Sequence, residues 1–202
     1  MASDVRRTRE ERREQALAAA RDEFARAGMQ GSVDLIAERA GVTASYLLRL
    51  FGTKKALFLA VVERAFEHTL RDYQQAAKGR TGNEALEAVA ATHRLLSNDD
   101  RVTMMIQLQA FAACDDERVR QAVSVGYGRI VEFVQAASDA TPNELARFLA
   151  DGTHHQILAA MQMTPDRHGP MWTRLLEKDG RKAPGTEPGS AEPATQLKRK
   201  ES

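Results

Sequence analysis

The sequence predicts an all-α protein, and three observations carry that expectation. Of 202 residues, 43% are hydrophobic but only 5% aromatic, and Ala, Leu, Glu, Arg and Gln, which lose least on entering a helix, dominate. Apolar residues recur at three- and four-residue intervals rather than alternating. Glycines and helix-capping hydroxyls separate these stretches at short intervals.

The first helix is expected from about Thr8 to Ala27, where Leu17, Ala20, Phe24 and Ala27 form one stripe and Gly28 stops it. Ser32 is a good N-cap for a second, short helix carrying Val33, Ile36, Ala37 and Ala40 before Gly41. Thr43 caps a third, with Leu47, Leu50 and Phe51 facing inward until Gly52, and Thr53 caps a longer fourth helix to about Ala77. The segment AKGRTGN, Ala77 to Asn83, interrupts the pattern. Four further amphipathic stretches follow near Glu84–Leu96, Arg101–Ala113, Glu117–Ser138 and Pro142–Met161, the last with Thr141 as cap and Pro142 in its first turn. The apolar stripe from Val119 to Ala137 spans five turns and marks its helix as central to this part of the chain. A ninth short helix is expected over Gly169–Glu177 around Trp172. From Asp179 onward Pro, Gly, Ser and charges leave almost nothing to bury, the composition of a disordered tail.

Charge is unevenly spread. The net charge is +1, yet Met1–Leu57 has an excess of basic residues and Phe58–Ser202 an excess of acidic ones. From Arg39 to Val62 there are Arg39, Arg49, Lys54 and Lys55 and no carboxylate. A helix, a short turn at Gly41 and Val42, and a second helix, with a preceding helix to pack on, is the pattern of a helix-turn-helix DNA reader. The outer side of the third helix then carries Ala44, Ser45, Tyr46 and Arg49, with Lys54 and Lys55 at the start of the fourth. Ala44 and Ser45 are short enough to let the backbone approach base edges. The hydroxyls of Ser32 and Thr43, the phenol of Tyr46 and the ammonium of Lys54 suit phosphate oxygens. Lys55 and the amino-terminal Arg6, Arg7 and Arg9 add charge, the three arginines by reaching a minor groove, and residues 1–7 are expected to be a flexible basic arm.

Phe24, Gly28, Ser32, Val33, "IAERAGV" at Ile36–Val42, Thr43, Leu47, Phe51 and "TKKALF" at Thr53–Phe58 together resemble the amino-terminal domain of TetR-family transcriptional regulators, over roughly Thr8 to Phe66. The resemblance implies a homodimeric all-α regulator. It places a three-helix helix-turn-helix DNA-binding domain at residues 8–55, with helix four from about 53 linking the domains, and a larger helical ligand-binding and dimerisation domain at 56–178. A tail at 179–202 follows. The family's phosphate-binding lysine falls on Lys54 and its recognition contacts on Thr43 through Tyr46. Two positions depart from the family. Leu48 stands where many members have a phosphate-touching tyrosine, leaving that contact to Tyr46 or Arg49, and Gly31 stands where a threonine cap is common.

The resemblance further implies a palindromic double-stranded DNA operator, a small-molecule effector among the later helices, and release of the operator on effector binding, repression being the family's commoner mode. Candidate effector-pocket residues are His93, Met104, Met105, Leu108, Phe111 and Tyr127, since Met-rich, aromatic walls with a few polar handles suit an adaptable apolar pocket. The dimer is expected through the helices near 142–161 and 169–177, with Gly152 allowing close approach.

Other classes are disfavoured. GxSxG, a Walker loop, a dinucleotide fingerprint and paired ExxH are all missing, so an enzyme is not expected, nor a cofactor or metal site. His154 and His155 diverge by about 100° on a helix and do not converge on one metal. Cys114, the single cysteine, permits no intrachain disulfide, and beside Asp115 and Asp116 it reads as an inert thiol. The charged start and the lack of a long apolar run predict a cytoplasmic protein with no membrane association. The alternative is a helical protein-interaction module of the same fold that does not bind DNA.

Overall fold

The computed structural model describes residues 9–162, apart from the side chains of residues 96–99. The basic arm, the expected helix around Trp172 and the tail lie outside the described residues. The described helices belong to one compact unit, and no strand occurs among them. α1 (Arg9–Ala27) buries Ala16, Leu17, Ala20 and Phe24 and ends in a 3-10 turn, Gly28–Gln30. α2 (Val33–Arg39) and α3 (Ala44–Phe51) are short, and both begin as the sequence predicts. The Ser32 hydroxyl accepts from the Leu35 N–H, and that of Thr43 from Tyr46 N–H. Gly41, at φ 65°, makes the turn between them, a left-handed backbone that a side chain resists.

α4 (Lys54–Ala77), capped by the Thr53 hydroxyl, is the spine. It packs on α1 and α3 as well as on α5 (Gly82–Asp99), α6 (Arg101–Ala112) and α7 (Glu117–Ser138). Its amino-terminal half therefore belongs to the core beneath α2 and α3, where Phe24 meets Phe58 edge-on at 5.2 Å and Ile36, Leu47 and Leu57 are fully buried. The stripe on α7 is real, with Val119, Val123, Ile130 and Val134 buried. α8 (Pro142–Ala160) opens with a reciprocal capping box between Thr141 and Glu144 and packs on α5, α6 and α7.

Candidate nucleic-acid interface and internal cavity

α3 divides its residues sharply. Leu47 has no exposed surface and pins the helix to the core, while Thr43, Ser45 and Arg49 are exposed and Ala44 and Tyr46 half-buried. Because the Thr43 oxygen accepts the Tyr46 N–H at 3.1 Å, its hydroxyl proton remains free to donate outward. Arg49 lies over the Tyr46 ring with its guanidinium carbon 5.1 Å from the centroid, and Arg12 of α1 approaches the same ring at 5.9 Å. Arg13 stacks over Phe51 at 4.5 Å. These α1 arginines bring positive charge beside α3. Sequence reasoning missed them, because a mixed run of Arg and Glu reads as a solvated face. Leu48 is 37% exposed.

Beneath α2 lies a group that no local pattern signals. Glu23 is a carboxylate with no exposed surface. It accepts from Arg26 at 2.7 Å and from the Ser32 backbone N–H at 3.0 Å, with Arg39 at 4.0 Å. The Arg26 hydrogen bond first, and the Ser32 N–H second, hold it below the usual carboxylate range. Glu23 thereby fixes the start of α2 from behind, leaving the Ser32 hydroxyl to cap the helix. The two lysines differ. Lys54 makes no ion pair among the described residues, whereas Lys55 pairs with Asp116, the N-cap of α7, so its charge is engaged inside the molecule. The Lys55 hydrogen bond is the main reason the Asp116 carboxyl stays below its ordinary value.

The second feature is a small cavity among α4 to α8. Three of the six candidate residues, His93, Phe111 and Tyr127, line it.

 Met104 is fully buried beside it, its sulfur 3.6 Å from Gln156 Nε2, while Met105 and Leu108 are half-buried and not among the lining residues. Thr69, Tyr73, Gln107 and Gln156 also line it. Sequence reasoning passed over these four, since they come from three helices and only the fold brings them together. His93 Nε2 donates to the Gly152 carbonyl at 3.0 Å, so its Nδ1 is left to accept from the Tyr73 hydroxyl. Burial pushes the His93 imidazole below its ordinary value and the Tyr73 phenol well above its own. At Gly152 an added Cβ would lie 3.4 Å from His93 Nε2, an ordinary contact. Among the described residues no group of three or more His, Cys, Asp or Glu is placed to hold a metal, and no helix is long and apolar enough to cross a membrane.

A short capped helix held by one buried leucine, presented beside cationic side chains that make no ion pair among the described residues, on a body that is helical throughout those residues, defines a helix-turn-helix protein. Residues 16–61 match the family described as bacterial regulatory proteins, tetR family. It is 34% identical over 108 residues to the HTH-type transcriptional activator FasR of Mycolicibacterium smegmatis, a match covering 47% of this chain and 49% of that protein. The chain thus spans about half the length of that curated relative. Among solved structures, a TetR-like transcriptional regulator from Rhodococcus sp. RHA1 superposes with a TM-score of 0.63 at 20% identity, covering 85% of this chain and 96% of that one. A second transcriptional regulator from the same source gives 0.60 at 19% identity, covering 81% and 90%. At these identities the structures establish the shared fold.

Proposed function

We propose that the chain is a homodimeric transcriptional regulator that binds a palindromic DNA operator through α3 and releases it when a small molecule occupies the α4–α8 cavity. The observation that carries this reading is the division of α3, with Leu47 buried and Thr43, Ser45 and Arg49 exposed in a stretch free of carboxylates. At about 1.5 Å per residue α3 is a rod near 12 Å long, comparable to the width of the major groove. Ala44 and Ser45 read base edges, while Ser32, Thr43, Tyr46, Arg49 and Lys54 hold phosphates. Lys55 is the weakest of these contacts because Asp116 already engages it. Residues 8–55 form the reading domain and 56–178 the effector-binding and dimerisation domain.

Repression by occlusion of a promoter is the mode proposed. Activation is the second reading, favoured by the likeness to a protein described as an activator. Purified full chain is incubated with fragments of its own genome, and the retained DNA is sequenced. Recovery of a shared palindrome supports the proposal, and the response of a reporter behind that site separates repression from activation. If no fragment is enriched, or if Lys54→Ala leaves retention unchanged, the DNA reading fails and a protein-interaction module of the same fold takes its place.

A further inference from the structure

We infer that the cavity among α4 to α8 selects an uncharged small molecule whose flat apolar body carries a hydroxyl or an amide, a ligand class that deepens the effector reading above and rests on it. The first reason is charge. No Asp, Glu, Lys or Arg is found among the described residues lining the cavity. Its one titratable base, His93, is buried, which disfavours the charged form, and in the neutral ring Nε2 donates to Gly152 O while Nδ1 accepts from Tyr73. An ion entering here would lose water without meeting a counter-charge.

The second reason is the direction of the hydrogen bonds. The Thr69 hydroxyl donates to the Ala65 carbonyl at 3.2 Å, which can only accept. Its oxygen therefore receives Gln107 Nε2 at 3.0 Å, and Gln107 Oε1 in turn receives Gln156 Nε2 at 2.7 Å. Both amides are oriented by that carbonyl, and Gln156 Oε1 remains an acceptor with no partner among the described residues. The Tyr73 oxygen keeps its lone pairs, since its proton goes to His93. Against these acceptors stand two donors, the Tyr127 hydroxyl, which has no partner among the described residues, and the second amide proton of Gln107. A hydroxyl or amide both donates and accepts, and so meets the two kinds of group together. Phe66, Phe111 and Phe148 supply the apolar walls.

Four probes of one skeleton test this by equilibrium dialysis against the full chain at neutral pH: naphthalene, 2-naphthol, 2-naphthoate and 2-naphthylmethylamine. The naphthol is expected to bind about tenfold tighter than naphthalene, the equivalent of one good hydrogen bond, and both ions more weakly than naphthalene. Tyr127→Phe and Gln156→Met should each bring naphthol binding towards that of naphthalene without changing the latter. Circular dichroism checks their folding; if Gln156→Met unfolds, Tyr127→Phe decides. The inference is overturned if either ion binds as tightly as the naphthol, if the naphthol fails to bind or shows no advantage, or if a folded variant leaves that advantage intact. Binding with the expected ranking but without effect on DNA retention upholds the ligand class and removes the effector role.

Discussion

Two residues beside α2 show how narrowly local chemistry constrains this chain. Gly31 stands where the family commonly has threonine, and its backbone, at φ −49°, would accept any residue. The restriction is space: an added Cβ would lie 2.9 Å from Phe24 Cδ1 and 3.1 Å from Glu23 Cγ, and Phe24 is itself locked by Phe58. Gly31→Thr should therefore destabilise the fold by about 1–3 kcal/mol, read as a lowered Tm, although it restores a familiar cap residue. Glu23 sets a pH dependence. Its folded pKa is depressed from 4.5, so its contribution is present above the unfolded value and is lost as pH falls through the folded one. Glu23→Gln should lower stability at neutral pH and flatten its decline in acid, a comparison made by urea unfolding across pH. A parallel decline in both proteins would contradict the role given to Glu23.

At the scale of elements, α7 crosses α4 where Gly126 meets Phe66. A Cβ at Gly126 would lie 2.6 Å from Phe66 Cγ and 2.8 Å from its Cβ, and the latter cannot swing aside. Gly128, two residues on, has nothing within 4 Å. Gly126→Ala is expected to cost about 1–3 kcal/mol, whereas Gly128→Ala should stabilise α7 by roughly 0.5–1 kcal/mol; chemical denaturation of the pair separates crowding from helix propensity. The helix starts were legible because Ser32, Thr43, Thr53 and Thr141 cap through atoms three residues away, and the α3 face was legible from its period. The start of α5 was less so, since Gly82 and Asn83 look like a loop yet begin the helix. Glu23, the Lys55–Asp116 pair and the Thr69–Gln107–Gln156 relay join residues far apart in sequence, a juxtaposition that periodicity does not encode.

For the whole molecule, the proposed dimer makes the strongest demand, because each half-site alone offers only one short rod. Ile157 on α8 is 45% exposed and Met161, the C-cap of that helix, 52%, one turn apart on the same side. If that face joins two copies, Ile157→Asp places a carboxylate in an apolar contact and should yield monomers by analytical ultracentrifugation, while the circular dichroism of each chain is unchanged. Operator affinity should then fall by about 100-fold or more, since the second half-site is no longer held at high effective concentration. The slope of log K against log salt should drop to about half, as half the phosphates are contacted. Lys54→Ala would instead weaken every duplex and reduce that slope by about one contact per subunit, leaving the dimer intact. A monomeric Ile157→Asp protein that kept full affinity and an unchanged salt slope would show that one copy suffices, and the palindromic site would have to be abandoned.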